Sequence, residues 1–133
     1  MGGGQIDCSG FQLVRTPTWT GNVSYDHIFD LADGATVQAG ASMQFSSSYY
    51  TAVDFLPSEV QDGYALVDAD LTYTSADKKW SVALWGRNLT NHTVFTTSFR
   101  APFINNALAG PDGMLAGMLR PPRTYGVRAR VNF

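Results

Sequence analysis

The chain has 133 residues, with 9 basic and 11 acidic side chains and a net charge of -2. Apolar residues are 44% of it, which excludes the low-hydrophobicity, high-charge composition of disorder, and the charge balance excludes a nucleic-acid footprint. The single cysteine, Cys8, excludes a disulfide framework and a cysteine metal site, and no apolar run is long enough for a transmembrane helix.

Charged residues are only 15% of the chain, against about 25% in soluble domains, so its polarity is mostly neutral. The dominant signal has period two, the period of a strand with two unlike faces. The first predicted strand sets Trp19, Gly21, Val23, Tyr25 and Phe29 against Thr20, Asn22, Ser24 and Asp26. Leu31–Gly34 then reads as a hairpin turn through Asp33-Gly34. From Ala35 to Tyr49 the odd positions carry Ala35, Val37, Ala39, Ala41, Met43, Phe45 and Tyr49, and the even positions are polar or glycine. A twelve-residue link, 51–62, follows. The third strand sets Ala65, Val67, Ala69, Leu71 and Tyr73 against Leu66, Asp68, Asp70 and Thr72. Ser75–Lys79 leads to a fourth strand with Trp80, Val82 and Leu84 on one face and Arg87 on the other. Asn88–Thr93 leads to a short fifth strand, Val94–Arg100. The 101–123 link is the longest. Its Asn106–Leu119 stretch has helix-forming residues, but Gly110, Pro111, Gly113 and Gly117 interrupt them. A sixth strand alternates Tyr125, Val127, Ala129, Val131 and Phe133 with Gly126, Arg128, Arg130 and Asn132. The expected class is all-β, with antiparallel up-and-down neighbours and no division into domains.

Alternation leaves open which face is wet. A soluble β-sandwich hides its apolar face, whereas a membrane barrel turns it to lipid and its polar face to a lumen. Three features favour the barrel. Asp26, Asp68, Asp70, Arg87, Arg128 and Arg130 all share the polar face. The aromatics Trp19, Phe45, Tyr49, Tyr73, Trp80, Tyr125 and Phe133 sit near strand ends, as in an interfacial girdle. The apolar faces are also rich in small alanines. Single-chain barrels start at eight strands, so six must belong to a larger barrel, an oligomer or a truncated sequence. A soluble carbohydrate-binding sandwich using Trp19, Trp80 or Trp85 stays open as an alternative. So does a small self-associating structural outer-membrane protein.

Four segments resemble one family. Pro17-Thr18-Trp19-Thr20 resembles the entry into a late barrel strand of TonB-dependent outer-membrane receptors. Gly63-Tyr64-Ala65-Leu66-Val67-Asp68, Arg87-Asn88-Leu89-Thr90-Asn91 and Pro122-Arg123-Thr124-Tyr125-Gly126-Val127 resemble later strands in the same order, ending at Phe133. The resemblance implies a 22-strand barrel, an N-terminal plug and a TonB-contacting segment. It also implies location in the outer membrane of a Gram-negative bacterium and uptake of a siderophore or similar solute. The chain would supply the last six strands and no plug. Met1-Gly2-Gly3-Gly4 has no secretory character. The expectation is therefore a fragment not competent alone, whose partners are outer-membrane lipid, the barrel-assembly machinery and the rest of the receptor, with TonB reached through the missing N-terminal part.

The resemblance also implies an assembly signal at Tyr125, Val127, Val131 and Phe133, and lumen-facing charges at Asp26, Asp68, Asp70, Arg87, Arg128 and Arg130. With Tyr73 set opposite Trp80, Asp68 lies diagonal to Arg87, within reach of a wall ion pair. If Phe133 ends in the periplasm, Asp30–Gly34, Ser75–Lys79 and 101–123 are extracellular, and 51–62 and Asn88–Thr93 are periplasmic. Asn105, Asn106 and Asp112 then lie on a possible solute-contact loop. His27 and His92 lack further ligands at metal spacing. No nucleophile–base pair stands out, so neither enzyme activity nor a cofactor is expected.

Overall fold

The computed structural model describes residues 9–10, 12–101 and 114–132. Nine strands appear among them: β1 (Thr20–Asp30), β2 (Thr36–Ser46), β3 (Tyr49–Tyr50), β4 (Val60–Gln61), β5 (Tyr64–Thr74), β6 (Trp80–Arg87), β7 (Phe95–Arg100), β8 (Leu115–Leu119) and β9 (Thr124–Val131). A single 3-10 turn, Pro57–Glu59, is the other regular element among these residues. Five strands form one antiparallel sheet in the order β1-β2-β5-β6-β9, while β3-β4 and β7-β8 are separate two-stranded pairs.

The sheet is all-β and up-and-down, as the alternation predicted. It is not closed: β1 and β9 are its two free edges. Tight turns join the strands where turn chemistry was legible. Gly34 takes φ +85°, and the Asp33 carboxylate accepts a hydrogen bond from the Ala35 amide at 3.1 Å. In the second turn Asp77 accepts from the Ser75 hydroxyl at 2.6 Å and from the Lys79 amide at 3.1 Å. These hydrogen bonds hold the Asp77 carboxyl below its ordinary range, that from Ser75 first.

Four expectations need correction. Phe95–Arg100 is a strand, but it pairs with Leu115–Leu119 outside the main sheet. The main sheet therefore has five strands rather than six, and β6 pairs directly with β9. The 115–119 stretch, expected to be irregular, is β8. Tyr73 lies opposite Val82, not Trp80.

Removing one strand from the main sheet also inverts the parity of every turn before it. Val131 pairs with Trp80, and the Asn132 amide donates to the Lys79 carbonyl at 2.7 Å. The end of β9 therefore lies beside the 75–79 turn, and the 31–35 turn is at that same end. The expectation that these turns and the chain's end lie on opposite sides is wrong. The turns joining β1 to β2 and β5 to β6 are at one end, and the chain leaves and re-enters the sheet for its longer connections, after β2 and after β6, at the other. The strain of a twelve-residue link on the short-turn side disappears.

A small buried cluster of Tyr49, Tyr64 and Val94, with Leu66 packed against it, sits at the long-loop end. Leu66 is opposite Gln44, so this cluster lies on the polar side of the sheet. The apolar face has no such cover among the described residues. Val127 is 67% exposed and Leu84 is 52% exposed. A sandwich would need a second sheet over them.

Candidate functional site

Register fixes which side chains share a face. One face carries, row by row, Tyr25–Ala41–Ala69–Gly86–Tyr125, then His27–Ala39–Leu71–Leu84–Val127, then Phe29–Val37–Tyr73–Val82–Ala129. The opposite face carries Asp26–Gly40–Asp70–Trp85–Gly126, then Ile28–Gln38–Thr72–Ala83–Arg128, then Asp30–Thr36–Thr74–Ser81–Arg130. Asp68 joins the polar face opposite Ser42. The residues expected to share a face thus do so. The acidic ones lie on β1 and β5, and Arg87, Arg128 and Arg130 on β6 and β9.

Asp68 is the best-tied of these charges. Its carboxylate lies 3.3 Å from Arg87 Nη1 and accepts from the Asn88 amide at 2.8 Å. The pair is partly exposed, so its Coulombic worth is about 0–1 kcal/mol, and the amide contact weighs more. That contact anchors the turn out of β6. Asn88 and Asn91 both take positive φ, 50° and 53°. The Asn88 side chain accepts from the His92 amide at 3.0 Å and donates to the His92 carbonyl at 2.9 Å and the Pro121 carbonyl at 3.3 Å. The Leu89 amide and the Thr90 hydroxyl reach back to the Val67 and Ala65 carbonyls of β5, at 2.7 and 2.8 Å. The Arg87-Asn88-Leu89-Thr90-Asn91 segment is therefore a self-satisfied strand exit. Asparagine suits it because it tolerates left-handed backbone and hydrogen-bonds locally.

Two glycines shape the middle of the wall. A Cβ on Gly40 would lie 2.7 Å from Asp26 Oδ1 and 3.0 Å from Asp70 Oδ1. The two carboxylates lean together over β2 only because that position is bare. A Cβ on Gly126 would lie 2.8 Å from the indole of Trp85. The ring sits over Gly126 of β9 and borders a recess of about 350 Å³ lined by Asp70, Thr72, Ala83, Trp85, Arg87 and Arg128. A second recess of about 200 Å³, nearer the long-loop end, includes Gln44, Leu66, Asp68, Arg87, Asn88 and Arg120. The two share Arg87. Together they form a polar trough with an aromatic platform and charges of both signs.

Arg120 sits in an irregular stretch with no periodic signal, so alternation in the sequence does not single it out. Its guanidinium donates to Gln44 Oε1 at 2.8 Å and lies 5.8 Å from the Tyr64 ring centre. Burial, with Tyr64 nearby, pushes the Tyr49 hydroxyl above its ordinary value, and that hydroxyl donates to the Phe95 carbonyl at 2.7 Å. His27 is on β1, in the apolar-face register, with its ring 4.3 Å from that of Phe29. Tyr125, Val127 and Val131 fall on the apolar face of β9, at a free edge. Phe133, Asn105, Asn106 and Asp112 lie outside the described residues. Among those described, no group of three His, Cys, Asp or Glu side chains could hold a metal ion.

An open antiparallel sheet with one uncovered apolar face and one charged, recessed face has the form of a barrel wall. Comparison of the sequence with known families agrees: the family described as TonB dependent receptor-like, beta-barrel matches residues 4–89, well over half of the chain. The chain belongs to that family. No curated protein and no solved structure gives a significant match. TonB-dependent receptors are outer-membrane transporters rather than enzymes. The matched span covers the wall from β1 through the Asn88 turn and stops before β7, the region where the sheet departs from a simple succession of spanning strands.

Proposed function

We propose that this chain is the C-terminal wall of a TonB-dependent receptor barrel in the outer membrane of a Gram-negative bacterium. In this reading it serves uptake of a siderophore or similar solute once the rest of the barrel and a plug complete it. The observation that carries the reading is the pairing of an uncovered apolar face with two free strand edges. Unpaired backbone groups in hydrocarbon cost several kcal/mol each, so an open sheet does not persist in a bilayer alone. Further strands must join β1 and β9.

The three longest strands suit the membrane. β1, β2 and β5 have eleven residues each, and their ten rises of about 3.4 Å span roughly 34 Å, which a tilt of about 40° projects to about 26 Å, close to an apolar band's height of about 25 Å. β6 and β9, with eight residues each, project to about 18 Å and reach the full height only with the residues that flank them. With short turns in the periplasm, as barrels of this kind have them, the 47–63 and 88–123 connections face outward. The polar trough then faces the lumen, where Asp26, Asp68, Asp70, Arg87, Arg128 and Arg130 would meet the plug or the passing solute. Tyr125, Val127, Val131 and Phe133 would be read by the assembly machinery as an exposed apolar edge strand.

The test is detergent dependence followed by complementation. The chain should need detergent to stay monodisperse and should give no uptake by itself. Fused in frame behind a plug and the missing strands of a family member, it should assemble in the outer membrane. A chain monodisperse in plain buffer would overturn the proposal. A closed oligomer by native mass spectrometry would favour self-association through β1 and β9 instead.

A further inference from the structure

Register separates the chain's three tryptophans. Trp80 pairs with Val131 on the apolar face, and the Trp19 ring meets that of Phe45 there, with centres 5.6 Å apart. Trp85 pairs with Asp70 and Gly126 and is the one tryptophan on the polar face. Its indole is half-buried over bare backbone: a Cβ on Gly126 would meet Cζ2 at 2.8 Å and Nε1 at 3.2 Å. The ring is thus a flat apolar platform in an otherwise polar recess of about 350 Å³. That volume falls in the range of small-molecule sites, about 300–1,000 Å³.

Asp70, Thr72 and Arg128 line the same recess. The side chains of all three lack a hydrogen bond or ion pair among the described residues. Asp70 is on β5 and Arg128 on β9, with β6 between them, so about 10 Å separates their strands. Opposite charges therefore border one space without neutralising each other. Arg87, the remaining charge of the lining, is already tied to Asp68.

This lining discriminates between guests. An anion would meet Arg128 but be repelled by Asp70, and a cation would meet the reverse. An apolar guest would strip water from both charges and from Thr72 without replacing it. A hydroxyl both donates and accepts, so a polyhydroxylated ring gives hydrogen bonds to Asp70 and takes them from Arg128 and Thr72. Its C–H face is the surface that lies on an indole.

We propose that this recess is a carbohydrate subsite, with Trp85 as the platform under one neutral pyranose ring, Asp70 accepting from its hydroxyls and Arg128 and Thr72 donating to them. The subsite rests on the barrel reading above, which puts this face in the lumen, and it narrows the solute to one that carries a sugar.

The chain fused behind the plug and remaining strands of a family member that binds no sugar provides the test. Binding of maltotriose, mannotriose and galactotriose is read by saturation-transfer NMR in detergent. At least one should bind. Trp85→Ala should weaken that trisaccharide about tenfold, and Asp70→Asn should weaken it as well. Gly126→Ala should also weaken it, by displacing the ring while leaving every lining group in place. Trp85→Phe keeps a smaller platform and should bind with intermediate affinity, which keeps the test informative if Trp85→Ala fails to assemble. Three results would each overturn the subsite: no binding by an assembled fusion, unchanged binding in assembled Trp85→Ala, or tighter binding of 2,3-dihydroxybenzoate than of any trisaccharide. Binding that appears only after the plug is deleted would give the recess to the plug and overturn it too. A fusion that fails to assemble, seen as the absence of heat-modifiable gel migration, would instead count against the barrel wall and take the subsite with it.

Discussion

Replacing Val127 with arginine puts a charge on the face assigned to lipid. Val127 is the fourth of the eight residues of β9, opposite Leu84, in the row that continues through Leu71 and Ala39 to His27. It is thus near the middle of the strand, where an arginine on the lipid face of a barrel costs about 2–4 kcal/mol. At about 1.4 kcal/mol per factor of ten, the inserted population should fall about 30- to 700-fold. Gln38→Arg is the matched control. It lies in the neighbouring row on β2, is exposed, and points to the polar face beside Thr72. The assay is insertion into lipid vesicles of the chain fused behind the plug and remaining strands of a family member, read by protease protection and by urea titration of the inserted form. Val127→Arg should abolish protection and Gln38→Arg should keep it. Equal tolerance of both would refute the facial assignment, and so would greater damage from Gln38→Arg.

Asp68→Ala should destabilise the chain by about 1–2 kcal/mol in urea titration, because it strands the Asn88 amide. Asp68→Asn keeps an acceptor and should cost less than half as much. Equal losses would mean that the Arg87 ion pair, not the amide cap, is what matters. Tyr49, its hydroxyl raised by burial, stabilises the fold fully below its ordinary value near 10, and that contribution disappears as pH rises through the higher folded value. Wild-type chain should therefore lose protection of the 49–61 segment at alkaline pH more steeply than Tyr49→Phe; identical profiles would contradict it. Asp77, held low by Ser75 and Lys79, stabilises its turn above the ordinary carboxylate value, near 4, and that effect fades as pH falls. Asp77→Asn should flatten the acid limb of exchange in 75–79, and an unchanged limb would contradict the assignment.

The wall was legible in the sequence because each strand carries two chemically distinct faces. Asp68 and Asp70 alternate with Val67, Ala69 and Leu71, and a one-residue slip would put both carboxylates on the wrong side. Strand existence and face followed from that constraint alone. The destination of Phe95–Arg100 did not. Its local alternation is the same whether it spans a membrane or folds into a hairpin, and its partner Leu115–Leu119 is distant and broken by Gly117. Gly117 is there because a Cβ would meet the Phe95 ring at 2.8 Å, a contact that no periodicity encodes. That one misplaced strand inverted the assignment of both short turns. Register between β5 and β6 slipped for a similar reason: the aromatic pair Tyr73 and Trp80 reads as directly opposite, but the rings meet diagonally, 5.2 Å apart. Of the polar trough, the charges were legible and the space between them was not. The recess depends on Trp85 sitting over Gly126, a contact that alternation does not encode.

Spin labels placed one at a time along β2, from Val37 to Gln44 in a Cys8→Ser background, test the central claim most directly. Once the chain, fused into a complete barrel, is in a bilayer, labels at 37, 39, 41 and 43 should collide with dissolved oxygen, and those at 38, 42 and 44 with a water-soluble nickel reagent. Uniform accessibility along the strand, or alternation in the opposite phase, would contradict it.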